Sequence, residues 1–216
     1  MKDFSLYVVL DRQACLETDL VKAAGQLITG GADIIQLRHK ISDDKTFFSL
    51  GQNIQKVTQK YGIPLIINDR LDLALALNID GVHLGQDDLP IAVARKLLGK
   101  NKIIGCSTHS LEQALRAQEE GADYIGVGPI FSTPTKPNYQ AVGLDLIRQI
   151  NGKIKIPFVA IGGIDTTNIS AVLSVGAKII AVVRAAVAQK DIVTATTNLK
   201  NIILKYKEKY DLIGIS

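Results

Sequence analysis

The sequence predicts an α/β protein that folds as a single-domain (β/α)8 TIM barrel over residues 1–216. Three observations predict this fold. Eight short apolar runs recur along the chain, and amphipathic stretches with apolar residues at helical spacing separate them. Related segments that join a helix to the next strand recur about once per unit: GGADIIQL, NIDGVHL, EGADYIGV and VGAKIIAV. An uninterrupted alternation of eight strands and helices is typical of a closed parallel barrel.

The eight apolar runs predict the strands. Each run is short, rich in β-branched residues and nearly continuous, which is the pattern of strands buried on both faces of a parallel sheet. They cover residues 5–10, 33–37, 64–67, 81–84, 102–106, 124–127, 157–161 and 178–183. A doubly wound open sheet is the alternative, and it is disfavoured because no Gly-rich phosphate turn follows the first run.

The stretches between the runs predict the helices. Apolar residues recur at helical spacing in residues 20–28 and again in residues 111–118. Ser42 and Ser110 have acidic residues close behind them, and we expect both to be N-caps. Glycines that follow the apolar pattern predict helix C-termini at Gly30-Gly31, Gly62, Gly99, Gly121 and Gly176.

The composition indicates which kinds of binding partner to expect. Hydrophobic residues make up 47% of the chain and charged residues 21%, which is the balance of an ordinary globular protein. Aromatic residues make up 5% and Trp is absent, so we expect no nucleic-acid partner. The net charge of +4 comes from scattered lysines and suits small anionic substrates. No segment approaches the length of a membrane span, so no membrane partner is expected.

The cysteines and the first apolar run predict the cellular compartment of the protein. Cys15 and Cys106 lie far apart, and no metal-binding or redox spacing links them. Two unpaired thiols are typical of a reducing environment. The run at residues 5–10 is too short for a signal peptide and is followed by an acidic residue. We therefore expect a cytoplasmic protein.

Functional residues of a barrel lie at the C-terminal ends of its strands. Gln36, Arg38 and Lys40 alternate at the end of the second run, so they share one face of an extended chain. A guanidinium fork beside an ammonium group suits a phosphate. His39 faces the other way, and we expect it to be structural.

Asp69 and Asp88 follow the third and fourth runs. Each of them, taken alone, is also a reasonable N-cap for the next helix. They lie one strand–helix unit apart beside basic residues, and such a pair fits Mg²⁺ shared with substrate phosphate oxygens. Mn²⁺ accepts the same ligands. His83, within the fourth run, has no companion histidine for zinc, and we expect it in the core or behind the site.

The later strand ends add polar groups. Ser107 follows the fifth run and offers a hydroxyl group to a ligand, whereas Cys106 is expected to pack in the barrel. The loop FSTPTKPNY at residues 131–139 offers the hydroxyl groups of Thr133 and Thr135, the ammonium group of Lys136, and two stiffening prolines.

Gly163, after the seventh run, and Val183-Arg184, after the eighth, supply backbone amides of the kind that hold phosphate in barrels. The residues thus predict a metal-assisted anion site near strands 2–4 and a second phosphate site near strands 6–8. Two phosphorylated molecules held side by side suit a transfer between them.

These residues lie in motifs that resemble the thiamine-phosphate synthase family. The motifs are QLRHK, NDRLDLALALNIDGVHLGQDD, GCSTHS, GPIFSTPTK and VAIGGI, and the resemblance runs from Leu6 to about Val187. It implies a barrel transferase that joins 4-amino-2-methyl-5-hydroxymethylpyrimidine diphosphate to 4-methyl-5-(2-phosphooxyethyl)thiazole, giving thiamine phosphate and diphosphate. The implied cofactor is Mg²⁺, and the implied mechanism is dissociative.

The resemblance also implies a role for each motif residue. The catalytic residues would be Arg38, Lys136 and Ser107. The metal would be bound by Asp69 and Asp88. The pyrimidine diphosphate would be held by Gln36, Arg38, Lys40, Asn68, Ser107 and Lys136. The thiazole phosphate would be held by Thr133, Thr135, Gly163, Val183 and Arg184.

One departure and two alternatives accompany this resemblance. Many members have Ile-Ser where this chain has Val183-Arg184, so a role of the serine hydroxyl would be lost while a role of the backbone would be kept. A thiazole tautomerase-like isomerase is one alternative, although the segment Gly128–Ile130 lacks the loop histidine of that group. A non-catalytic paralogue that binds thiamine precursors is the other. The oligomeric state stays open, with a homo-oligomer among the alternatives.

Overall fold

The computed structural model describes residues 4–136 and 139–211. Their eight parallel strands pair in sequence order, and the last pairs with the first, which closes the predicted barrel. The strands are β1 Leu6–Asp11, β2 Ile34–Arg38, β3 Leu65–Asn68, β4 Gly81–Leu84, β5 Ile103–Thr108, β6 Tyr124–Val127, β7 Phe158–Ile161 and β8 Ile179–Val182. Each predicted run overlaps one of these strands.

Helices follow the strands and form the outer layer. They are α1 Leu20–Thr29, α2 Asp44–Lys60, α3 Leu71–Ala76, α4 Ile91–Leu98, α5 Leu111–Glu119, α6 Gly143–Ile150, α7 Ile169–Ser174, α8 Arg184–Val187 and α9 Ile192–Asp211. In the part of the chain that the structure describes, no helix is both long and apolar enough to cross a membrane.

Alternation along the strands creates two cores. One set of side chains points into the barrel, where Tyr7, Ile66 and Tyr124 pack with residues of the other strands. The other set points outward and packs against the helices in a larger cluster. Cys106 belongs to this outer cluster, so the expectation that it packs inside the barrel was wrong, because it alternates with the inward-facing Ser107.

The helix ends follow the expected chemistry with one exception. Ser110 is the N-cap of α5, and its side chain accepts a hydrogen bond from the Gln113 amide. Ser42 is not an N-cap. Asp43 takes that position in α2, because its carboxylate lies three residues before the Thr46 amide that it binds. Gly31, Gly62, Gly99, Gly121 and Gly176 have positive φ angles, which fit their role at helix ends, whereas Gly30 caps α1 with a φ of −75°.

The recurring strand-joint segments have a common hydrogen bond. Asp80 accepts from the Leu65 amide at 2.9 Å and Asp123 from the Ile104 amide at 2.7 Å, so each aspartate holds the start of the preceding strand. Asp33 does the same for Leu6 at 2.8 Å. These bonds lie at the N-terminal end of the barrel, opposite the predicted functional face, and they explain the repeat as a structural joint.

Candidate active site

The C-terminal strand ends surround a cavity of about 480 Å³. It forms there because the last inward-facing residue of several strands is polar or small and leaves the barrel mouth unfilled. The loop at residues 131–136 and the start of α8 complete its wall. The cavity is lined by ten residues that the sequence predicts for the site: Gln36, Arg38, Asn68, Ser107, Thr133, Thr135, Lys136, Gly163, Val183 and Arg184. Lys40, Asp69 and Asp88 lie outside this lining.

Arg38 is fixed by a carboxylate that the sequence reasoning missed. Asp11, at the end of β1, is buried and forms an ion pair with the Arg38 guanidinium group. A second oxygen of Asp11 accepts a hydrogen bond from the Gln13 amide at 2.9 Å. Because both partners are largely removed from water, the guanidinium group is held in one orientation at the cavity wall. The register of β1 and β2 places these two residues opposite each other.

Asp69 and Asp88 meet beside the cavity, as their neighbouring strand ends predict. Neither residue is an N-cap, since Arg70 occupies the N-cap position of α3 and Pro90 that of α4. Burial raises the pKa of Asp88, and the adjacent Asp69 carboxylate raises it further. Asp69 also has a left-handed backbone conformation with φ of 63°. Backbone conformations of this rarer kind cluster at functional sites.

The donor set fits magnesium better than a transition metal. The described ranges 4–136 and 139–211 contain no group of three or more His, Cys, Asp or Glu side chains placed to hold a metal. Mg²⁺ is commonly bound by one or two carboxylates together with substrate phosphates and water. Burial is the main cause of the raised pKa of Asp88, and the Asp69 carboxylate adds to it, so a divalent cation beside the two carboxylates would offset both effects.

Cations surround this carboxylate pair. Lys40 Nζ lies 3.1 Å from an oxygen of Asp69. Lys136 is near enough to interact electrostatically with both carboxylates and with Arg38. Burial lowers the pKa of Lys136; Asp69 acts in the opposite direction, and Arg38 lowers the pKa again. This arrangement of two lysines and an arginine can bind a polyanion.

The loop that carries Lys136 is held by aromatic contacts. Lys136 Nζ lies 5.2 Å from the centre of the Tyr139 ring, and that ring packs against His109 with centroids 4.7 Å apart. His109 Nδ1 also contacts the Gly128 carbonyl oxygen. Pro137 and Asn138 of the predicted loop lie outside the described residues. The sequence reasoning did not identify His109 as a support of this loop.

The same loop offers unpaired polar groups to the cavity. The Thr135 hydroxyl oxygen is buried and has no hydrogen-bond partner within the part of the chain that the structure describes. The Thr135 amide donates to Thr133 Oγ1 at 3.3 Å. Gly163 has a φ of 63° and lies against the loop, where an added Cβ would be 2.7 Å from the Ser132 carbonyl oxygen. Only glycine fits this close approach of the two backbones.

Along the lining of the cavity, a chain of hydrogen bonds connects five side chains. It runs from Gln36 through Tyr7, Tyr124 and His83 to Ser107. Burial lowers the pKa of His83 to about 4, so its imidazole is neutral at neutral pH. The sequence predicts His83 in the core or behind the site, whereas the structure places it, partly exposed, in the lining of the cavity. The sequence does not reveal the tyrosines, which have the pattern of ordinary residues of buried strands.

The fold and this cavity define an enzyme of the (β/α)8-barrel class. A family model described as thiamine monophosphate synthase matches residues 6–186. The thiamine-phosphate synthase of Ruminiclostridium cellulolyticum is 45% identical over 202 residues, which are 94% of this chain and 96% of the relative. That of Clostridium acetobutylicum is 44% identical over 207 residues, which are 96% of this chain and 98% of the relative.

A solved structure gives the same result. The thiamine phosphate pyrophosphorylase from Pyrococcus furiosus has a TM-score of 0.86 and 38% identity, and the match covers 94% of this chain and 96% of that one. The chain therefore belongs to the thiamine monophosphate synthase family. It is an enzyme of the transferase class, with a place in thiamine biosynthesis.

Proposed function

We propose that this protein joins 4-amino-2-methyl-5-hydroxymethylpyrimidine diphosphate to 4-methyl-5-(2-phosphooxyethyl)thiazole and forms thiamine phosphate. The observation that carries the proposal is the convergence of Arg38, Lys136 and Ser107 on one cavity, with the Asp69–Asp88 pair beside it, in a chain of this family. Both substrates are small and anionic, and the cations at the barrel mouth complement them. A cytoplasmic location remains our expectation.

The chemical step needs charge stabilisation more than a protein nucleophile. The bond between the pyrimidine methylene carbon and the diphosphate oxygen breaks, and both electrons leave with the diphosphate. The lone pair of the thiazole nitrogen then forms the new C–N bond to that carbon. Arg38 and Lys136 stabilise the negative charge that develops on the departing diphosphate oxygens. Lys40 adds a further positive charge beside Asp69.

We propose that Asp69 and Asp88 would hold Mg²⁺, the expected cofactor. When bound, the ion would supply positive charge to oxygens of the diphosphate. The two carboxylates alone are too few to fill an octahedral site, so oxygens of the substrate and water would complete it. Gln36 and Asn68 belong to the neighbouring strands β2 and β3, line the cavity, and would position the pyrimidine diphosphate beside Ser107.

The opposite side of the cavity would hold the thiazole phosphate. Thr133 and Thr135 present hydroxyl groups and amides there, and the unpaired Thr135 hydroxyl is available to a phosphate oxygen. Gly163 and the backbone at Val183 and Arg184 line the same region. Holding both substrates in one cavity places the nitrogen next to the carbon that it attacks, which lowers the entropic cost of the reaction.

Single-substrate experiments separate this function from its alternatives. A synthase converts nothing when the pyrimidine diphosphate is left out, whereas a tautomerase acts on a thiazole phosphate tautomer alone. A binding paralogue would bind each compound in calorimetry without converting either of them. We expect conversion only when both substrates are present, and isomerisation of the thiazole compound by itself would contradict the proposal.

A further inference from the structure

The chain of hydrogen bonds along the cavity lining is continuous, with its glutamine and tyrosines buried and its histidine and serine partly buried. Gln36 Nε2 lies 2.8 Å from Tyr7 Oη, and Tyr7 Oη lies 2.8 Å from Tyr124 Oη. His83 Nδ1 lies 2.9 Å from Tyr124 Oη, and His83 Nε2 lies 2.9 Å from Ser107 Oγ. Both tyrosines are almost completely inaccessible to water. The protons of the chain therefore have few other partners.

Space for the chain is built into the barrel. Gly105 lies on the neighbouring strand beside Tyr124, and an added Cβ there would be 2.1 Å from the ring carbon that bears the hydroxyl group. A side chain at this position would displace the ring. Gly126 similarly leaves room for His83, since an added Cβ would be 3.2 Å from the imidazole. The two glycines thus leave the space in which the rings of Tyr124 and His83 come into contact.

The direction of every hydrogen bond in this chain follows from the group at its Gln36 end. The Gln36 amide nitrogen can only donate, so Tyr7 Oη accepts and directs its single proton to Tyr124. Tyr124 then directs its own proton to His83 Nδ1. A neutral imidazole carries one N–H group, which must be on Nε2 and must donate to Ser107 Oγ. The Ser107 proton is left to point elsewhere, and Ser107 lines the cavity.

We propose that His83 is a positioning residue: Tyr124 holds it in the Nε2–H tautomer, and His83 thereby fixes Ser107 as a hydrogen-bond donor toward the cavity. At the other end of the chain, Gln36 uses its amide nitrogen inside the barrel and keeps its amide oxygen as an acceptor. The chain therefore sets the polarity of two cavity groups from within the core. A ligand with reversed donors and acceptors would leave buried groups unpaired.

The proposed direction of the hydrogen bonds can be tested without any substrate, because it determines which ring nitrogen of His83 carries the proton. Histidine labelled with ¹⁵N gives separate ring-nitrogen signals, and the sequence has three histidines, so His83→Asn identifies the signals of His83. We expect Nε2 to carry the proton and Nδ1 to be an unprotonated acceptor. A spectrum with the proton on Nδ1 would mean that the chain runs in the opposite direction and would overturn the proposal.

Two tyrosine variants provide a matched pair. Tyr124→Phe removes the donor to His83, so the Nδ1 signal should move toward that of a nitrogen without a hydrogen bond. Tyr7→Phe removes an equally buried hydroxyl group but leaves Tyr124 free to donate, so the Nδ1 signal should stay in place. Equal shifts in the two variants would show a general disturbance of the core and would count against the proposed chain.

Kinetic measurements test whether His83 acts through Ser107. This test rests on the proposed function. His83→Gln keeps a donor within reach of Ser107, whereas the shorter side chain of His83→Asn does not. We expect kcat/KM of His83→Asn to fall about tenfold below that of His83→Gln, which is the effect of one hydrogen bond. In a Ser107→Ala background this difference should vanish, and its persistence would contradict an action through Ser107.

The spectroscopic test and the kinetic test can fail independently of each other. If the wild-type protein forms no thiamine phosphate, the proposed function fails and the nitrogen spectrum alone upholds or overturns the polarity of the chain. If His83→Asn does not fold, Tyr124→Phe and Tyr7→Phe still test the tautomer. A purely structural role of His83 would change thermal stability in all backgrounds but would not make the kinetic difference depend on Ser107.

Discussion

Lys136 occupies the most crowded charge environment of the site. Its ammonium group is mostly buried, interacts with both Asp69 and Asp88, and lies over the ring of Tyr139. Burial lowers the pKa of Lys136, and the nearby Asp69 and Asp88 carboxylates oppose that change and favour the ammonium form. A cation kept charged and partly dehydrated is well suited to stabilise a departing diphosphate.

Lys136→Ala should therefore affect catalysis far more than folding. Removal of one preorganised donor from the developing charge predicts a fall in kcat of about 100-fold, with little change in the melting temperature. The matched control is Lys100→Ala, which removes an exposed lysine from a turn that lies outside the cavity lining. Steady-state kinetics of both variants measure the difference. An unchanged kcat in Lys136→Ala would remove this residue from the proposed mechanism.

Replacement of Asp88 should have opposite effects on stability and activity. Its raised pKa means that the folded state disfavours the carboxylate form, so this residue destabilises the ligand-free protein increasingly as pH rises above the ordinary value of 3.8. Asp88→Asn keeps an oxygen for the Gly85 amide but removes the charge. We expect a higher melting temperature at pH 7 without metal, together with a loss of Mg²⁺-dependent activity of at least about tenfold.

Thermal melting with and without Mg²⁺ and diphosphate measures both effects. The wild-type protein should be stabilised by the combination, because ligands that bind only the folded state raise its stability. Asp88→Asn should show a much smaller shift. A variant that is less stable than the wild type without metal, yet equally stabilised by the combination, would contradict the assignment of Asp88 to the metal.

At the scale of the elements, the recurring aspartates join each helix end to the preceding strand. Asp33 makes the strongest of these joints, since it accepts from the Ser5 and Leu6 amides and also pairs with Lys200 of α9 at 2.6 Å. The C-terminal helix is thus attached to the start of β1. In VGAKIIAV the same position is occupied by Lys178, which has no acceptor to offer, so the fourth repeat keeps the pattern without this hydrogen bond.

Asp33→Asn should destabilise the fold more than Asp80→Asn does. The new amide would place an NH2 group against Lys200 Nζ and leave that cation poorly compensated, at a cost of about 2–3 kcal/mol. Asp80 makes one hydrogen bond to an amide, and its replacement should cost about 1 kcal/mol or less. Urea denaturation of the two variants measures this order. Equal losses would show that the Lys200 pair adds nothing to the joint.

The Asp33 joint also predicts a pH dependence. Burial acts to raise the pKa of Asp33, but the Leu6 amide, the Lys200 ammonium group and the Ser5 amide together lower it below 3.8. The carboxylate therefore stabilises the folded state above its ordinary pKa, and this contribution is lost as pH falls through the lowered value. The stability difference between wild type and Asp33→Asn should shrink below about pH 4. A constant difference down to pH 2 would contradict this assignment.

Sequence alone predicts the elements well, because buried parallel strands have a distinct pattern. The eight runs were recognisable as apolar, β-branched and evenly spaced, and the strand ends followed from them. The cap at Asp43 was missed because Ser42 and Asp43 are both good capping residues, and only the backbone geometry decides between them. Cys106 was misplaced because assigning it to the inner or outer face requires the register of β5.

At the scale of the whole molecule, barrel closure determines which residues meet. The strand-end rule predicts that Arg38, Ser107 and Lys136 lie near one another, and the cavity includes all three. It could not reveal Asp11, whose importance depends on its pairing with Arg38 across two strands. Nor could it reveal the chain through Tyr7 and Tyr124, since hydrogen bonds between distant buried tyrosines leave no trace in local sequence patterns.

The cavity has two chemically different sides because the barrel brings together its early and late strands. Arg38 and Lys40 belong to the end of strand 2, and the carboxylate pair beside the cavity follows strands 3 and 4. The loop threonines, Lys136 and the glycine backbone follow strands 6 and 7. Under the proposed function, each side of the cavity would hold one of the two anionic substrates. This arrangement supports a transfer between substrates over an isomerisation of one substrate.

The most direct test of this account is to follow thiamine phosphate and diphosphate together, after the purified protein is mixed with both substrates. With Mg²⁺, the account predicts that the two products appear in equal amounts. Omitting either substrate should abolish product formation, and removing the metal with a chelator should suppress it. Product formation at the same rate without Mg²⁺ would contradict the metal role of Asp69 and Asp88. Absence of thiamine phosphate under every condition would contradict the proposed function itself.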